Sequence, residues 1–146
     1  MTKSTTKLVK VDLPFIRVYS VSSMHFNEEL KLLCVSRSDS TIEIWAYPTW
    51  IMLERIHLDL NLILKKVYLI NLNGRKILCI VTANSYVLMY DIQKGLIYQT
   101  LNHGGSFAWD SDFFQFSYLQ DERGMADEDL EGYLVLACND GATRLF

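Results

Sequence analysis

Apolar residues along this chain fall in short runs, separated by small polar clusters. The clearest run is Leu32-Leu33-Cys34-Val35, which leads through Ser36-Arg37-Ser38-Asp39-Ser40 into Thr41-Ile42-Glu43-Ile44-Trp45. A near-continuous apolar run suits a strand buried on both faces. The alternation of Ile42 and Ile44 with Thr41, Glu43 and Trp45 has the period of a second strand. Asp39 supplies the turn between them, because a short acidic side chain bonds the backbone ahead of it and tolerates left-handed geometry. The stretch therefore predicts a hairpin that ends on a large aromatic.

The same pattern recurs twice. Forty-five residues on, Asn84 takes the place of Asp39, Ile77-Leu78-Cys79-Ile80 that of the apolar run, and Tyr90 that of Trp45. In the third copy the turn residue is Asp140, the run is Tyr133-Leu134-Val135-Leu136, and the aromatic is Phe146. The second interval is longer because of the acidic segment Gln120 to Glu131, which sets six carboxylates against Arg123 alone. A repeat of this length made only of strands is the length of one four-stranded propeller blade. The expected fold is all-β, the first three or so blades of a WD40-like β-propeller with an incomplete ring.

The chain divides accordingly. Residues 15–58 form the first blade, 63–101 the second and 104–146 the third, which lacks its outer strand and carries the acidic insert 120–131. Lys7 to Val11 reads as a short strand that joins a last blade and closes the ring, removing sheet edges. Ile16 to Ser22 is expected as the innermost strand of the first blade, with a turn at Asn27-Glu28-Glu29. Val67, Leu69 and Ile70 mark the inner strand of the second copy, and Ser106 to Asp110 that of the third. A ring needs more than three blades, so the sequence pattern predicts the front part of a longer protein. The insert is expected to be a solvated loop, because its carboxylates repel one another and resist burial.

Composition narrows the class further. Half of the 146 residues are hydrophobic, which argues against disorder, and no apolar run approaches the length of a membrane span. The net charge of −3 argues against a chain that holds nucleic acid by bulk charge. Lys65-Lys66 and Arg75-Lys76, with Arg37 and the N-terminal lysines Lys3, Lys7 and Lys10, are the basic groups that could meet RNA phosphate. Three cysteines, each within an apolar strand, read as buried thiols in a reducing compartment, cytosol or nucleus.

Catalytic patterns are missing from the sequence. His103-Gly104-Gly105 is reminiscent of an esterase oxyanion loop but has no Gly-x-Ser-x-Gly elbow to serve. His25, His57 and His103 are scattered rather than spaced as metal ligands, and no phosphate-binding loop occurs. No catalytic residue, cofactor, metal or small-molecule substrate is assigned. By resemblance to regular WD blades, in which a His before the inner strand bonds the turn Asp, His103 is expected instead to hydrogen-bond Asp140 and so to orient the strand-borne aromatic. Asp39, Trp45, Asn84, Tyr90, His103, Asp140 and Phe146 are thus structural repeat positions, and the residues that contact RNA or protein are left open.

The strand–Asp–strand–Trp copies resemble degenerate WD repeats, with Tyr90-Asp91 nearest to the Trp-Asp pair and Asp140-Gly141 keeping the usual turn. Val35 to Ile44, with its Ser-Arg-x-Asp core followed by Thr and Glu-Ile, resembles the first blade of the cirhin-type propeller proteins of the U3 small-nucleolar-RNA-associated complex. Gly104 to Trp109 and Leu136 to Phe146 resemble the third blade of that family. The resemblance implies a nucleolar scaffold in ribosome biogenesis that assembles the early small-subunit precursor. Its partners would be other propeller and helical proteins of that assembly, with pre-ribosomal RNA or U3 RNA reached through it. The competing classes are an adaptor in trafficking or ubiquitin transfer, and a propeller enzyme with ionisable residues converging on the central channel.

Overall fold

The computed structural model describes residues 19–58, 62–72, 74–104, 107–117 and 130–146. All regular structure among them is β. The first sheet holds β1 (Val21–Asn27), β2 (Leu32–Arg37), β3 (Thr41–Ala46) and β4 (Ile51–His57). The second holds β5 (Leu64–Leu72), β6 (Arg75–Thr82), β7 (Tyr86–Asp91) and β8 (Leu96–Asn102). The third holds β9 (Ala108–Ser117), β10 (Leu130–Cys138) and β11 (Thr143–Leu145). Every neighbouring pair is antiparallel, and strands sit side by side in chain order within each sheet.

The three sheets repeat one another in register. Cys34 pairs with Ile44, Cys79 with Met89, and Val135 with Leu145. The residue after each turn residue is left-handed in all three: Ser40 (φ 63°), Ser85 (φ 47°) and Gly141 (φ 78°). Backbone bonds outside the ladders repeat as well: Trp50 N–H donates to the Ala46 carbonyl and Gly95 N–H to that of Asp91. Likewise Leu58 donates to Ser40 and His103 to Ser85.

Two apolar layers separate the sheets. Leu32, Cys34, Ile42, Ile44 and Ile56 of the first sheet meet Val67, Leu69, Leu78, Ile80, Leu88 and Tyr90 of the second. The other side of the second sheet, through Tyr68, Ile70, Ile77, Cys79, Val81 and Val87, meets Ala108, Leu134, Leu136 and Cys138 of the third. The near-continuous apolar runs are explained by this arrangement, since a sheet packed on both faces has no polar side to show. Burial pushes the Cys34 and Cys79 thiols up to about 12, so both stay protonated at neutral pH.

The innermost strand of the first sheet is Val21–Asn27, not Ile16 to Ser22. Its polar residues Ser23, His25 and Asn27 obscured it, and they turn out to be the side chains that reach the neighbouring sheet. In the third sheet the inner strand is Ala108–Ser117, which runs well past the expected end at Asp110, while Ser106 lies outside the described residues. β10 begins at Leu130, so Leu130 and Glu131 belong to the ladder and not to an insert. The expected strand at Lys7 to Val11, residues 16–18 and the acidic residues 120–129 lie outside the described residues.

Candidate functional site

The inner strands β1, β5 and β9 converge on a cleft of about 560 Å³, within the size range of ligand sites. Alternation along β1 aims every second side chain at β5. Ser23 Oγ accepts the Val67 amide (3.3 Å), His25 Nδ1 accepts the Leu69 amide (3.0 Å), and Asn27 Nδ2 donates to the Leu69 carbonyl (2.9 Å). From β5 to β9 the link is again polar. Lys66 Nζ meets Asp110 Oδ1 at 3.0 Å, and the Tyr68 hydroxyl donates to the Ser111 carbonyl. Asp112, Met24 and Phe114 complete the cleft wall. The Lys66 hydrogen bond holds the Asp110 carboxyl below the usual range and raises the Lys66 ammonium.

The repeat positions fall at matching places. Asp39 and Asp140 each accept the amide two residues ahead, from Thr41 (3.2 Å) and Ala142 (3.0 Å). At Asn84 the backbone carbonyl accepts the Thr82 hydroxyl (3.2 Å). Trp45 and Tyr90 are buried at the ends of β3 and β7, and Phe146 follows β11 beside Phe113 and Leu134.

The expected His103–Asp140 hydrogen bond is not formed. Both ring nitrogens of His103 are buried without a partner, and Asp140 is taken by Arg144 through contacts of 2.6 and 3.2 Å. A guanidinium with two parallel donors matches a carboxylate better than a single imidazole N–H does. Burial, then Arg144, lowers the His103 pKa below its ordinary value.

Two charged constellations had no prominent signal in the sequence. Glu43 is 2% exposed and accepts Arg37 (3.0 Å), Arg55 (3.1 Å) and the Trp45 indole N–H (3.3 Å). Its only sequence signal is a charge inside the Ile42–Trp45 strand, one that alternation alone assigns to solvent. Asp91 is equally buried, accepts Arg75 (2.7 Å) and the Lys94 amide (3.1 Å), and has its pKa lowered first by the Arg75 hydrogen bond. Arg75 lies in turn over the Tyr98 ring, at 5.2 Å.

Of the basic residues considered for RNA, the N-terminal lysines lie outside the described residues, and most of the others are engaged inside the chain. Arg37 is buried against Glu43, Arg75 binds Asp91, Lys66 binds Asp110, and Lys65 sits 4.6 Å over the Phe107 ring. Among the described residues, no group of three or more His, Cys, Asp or Glu is placed to hold a metal ion. No helix among them is long and apolar enough to cross a membrane.

No family model matches the chain, and no curated protein matches it in sequence. Among solved structures it is similar to the crystal structure of Sqt1 from Saccharomyces cerevisiae, a WD40 propeller-type protein. The TM-score is 0.62 at 14% identity, over 87% of this chain and 31% of that one. The fold is thus all-β and WD40-like, successive antiparallel sheets of a β-propeller. The chain spans 31% of the length of the solved chain it matches.

Proposed function

We propose that this chain is a non-catalytic propeller scaffold that works in assembly of the early small-ribosomal-subunit precursor, in the nucleolus. The observation that carries the scaffold reading is the division of labour among side chains. Arg37, Glu43, Arg55, Arg75, Asp91, Arg144 and Asp140 are matched with one another within their own sheets. Large apolar residues point outward instead, among them Ile51 and Leu53 on β4, Leu96 on β8 and Trp109 on β9. Exposed apolar and aromatic groups of this kind are what partner proteins bury.

The ribosomal assignment rests on the resemblance of Val35 to Ile44 and of Leu136 to Phe146 to the cirhin-type proteins. Its partners are propeller and helical proteins of the same assembly. Pre-ribosomal RNA or U3 RNA is reached chiefly through them, since several basic side chains here are engaged internally. Affinity purification of the tagged protein from cells, followed by protein and RNA identification, tests this. Small-subunit assembly factors with U3 RNA are the expected companions. Recovery of vesicle-coat or ubiquitin-ligase components alone would replace the ribosomal reading with that of a general adaptor.

A further inference from the structure

The joint between the first two sheets contains a group whose hydrogen-bonding sense depends on pH. Ser23 and Asn27 bridge to β5 through a hydroxyl and an amide, neither of which titrates. Between them, His25 Nδ1 accepts the Leu69 amide at 3.0 Å. To accept, the imidazole must be neutral with its proton on Nε2. A proton added at Nδ1 would set one N–H against another and remove the acceptor of a buried backbone amide, which is costly. We propose that His25 is a pH-sensitive latch, which holds the joint beside the inner-strand cleft closed at neutral pH and releases it in mild acid.

The surroundings favour the neutral form. Across the ladder His25 faces Cys34, whose thiol stays protonated. From β5 the Tyr68 ring stands edge-on with centroids 5.5 Å apart, and its hydroxyl pKa is raised. From β9, Asp112 is the carboxylate that favours the imidazolium; Glu28 and Glu29 of the β1–β2 turn line a second, smaller cleft with His25, and Glu29 Oε1 accepts Asn71 Nδ2 of β5 at 2.6 Å across the same joint. Burial outweighs Asp112, so the His25 pKa lies below its ordinary value of 6.5. The sign follows: the neutral latch is fully present above the ordinary value, and it is lost as pH falls through the lower folded value.

Amide hydrogen exchange of the whole 146-residue chain, followed by NMR from pH 7.5 to pH 5 and corrected for intrinsic rates, tests the latch. Protection of Leu69 should fall by about tenfold per pH unit below the folded His25 value, while that of Leu78 in the sheet centre holds. His25→Asn places a non-titrating amide oxygen near the Nδ1 position, and Leu69 protection should then be flat with pH. Asp112→Asn removes the group that favours protonation, so the loss should move to lower pH. Should His25→Asn fail to fold, the imidazole nitrogen shifts of the unaltered chain decide instead. They should show Nε2 protonated and Nδ1 bare at pH 7.5. The opposite tautomer, equal pH dependence at Leu69 and Leu78, or a folded His25→Asn chain that keeps the dependence would overturn the proposal.

Discussion

The first and second sheets have the same strands and the same turns, but they solve one face differently. In the second sheet, that face carries Leu88 between Thr82 and Thr100 and packs against the first sheet's apolar layer. At the matching positions the first sheet carries Glu43 between Arg37 and Arg55, an ion cluster in which Glu43 and Arg37 are buried and Arg55 is partly exposed. The blade geometry therefore accepts either an aliphatic residue or a carboxylate at this position, provided that its neighbours match. A buried carboxylate with two guanidinium partners is tolerable, whereas the same charges unpartnered are not. The difference also locates fragility: the second sheet depends on apolar volume and the first on charge balance.

The largest effect should come from mixing the two solutions. Glu43→Leu puts the second sheet's residue beside the first sheet's arginines, leaves Arg37 buried and unpaired, and should cost roughly 3–5 kcal/mol in urea unfolding. Adding Arg37→Thr and Arg55→Thr, which completes the second sheet's set, should recover most of that loss. If the triple variant is no better than the single one, the two faces are not interchangeable. In the second sheet, Leu78→Ala should cost about 2–5 kcal/mol, because the position is fully buried and a cavity remains.

A finer contrast concerns the residue that leaves each outer strand. Leu58 holds this place in the first sheet and His103 in the second, each donating its amide to the matching turn. The His103 pKa is lowered in the fold, so its neutral state contributes stability that is present above the ordinary 6.5 and lost as pH falls through the folded value. His103→Leu should therefore flatten the acid limb of the melting-temperature profile while leaving the neutral melting temperature nearly unchanged or higher. An acid limb identical to that of the parent would show that the ring contributes nothing there. The smallest effect lies at the turns. Ser85 is held at φ 47°, where the third copy has Gly141, so Ser85→Gly should gain about 0.5 kcal/mol in the same unfolding assay. No gain would mean that the serine is already at ease in that geometry.

Much of this architecture was legible because hydrophobic alternation and turn residues act locally. The runs at Leu32, Ile77 and Tyr133 fall within strands, and the aligned Asp39, Asn84 and Asp140 mark three turns that share a left-handed following residue. What stayed hidden depends on groups far apart in the chain. β1 reads as polar because Ser23, His25 and Asn27 are directed at a sheet more than 40 residues away. Glu43 looks like an exposed strand charge until Arg37 and Arg55 are brought beside it. His103 and Asp140 were expected to pair by likeness to regular WD blades, and only the approach of Arg144 shows why the aspartate is taken.

The second sheet is held from both faces by the sheets that flank it. Residue-resolved hydrogen exchange under native conditions tests this most directly. The slowest amides should lie in β6 and β7, at Ile77 to Thr82 and Val87 to Tyr90, with β4 and β8 exchanging many times faster at their exposed edges. If the slowest amides instead cluster in β4 or β9, or if protection is uniform across the three sheets, the middle sheet is not the core and the stacked-blade account is wrong.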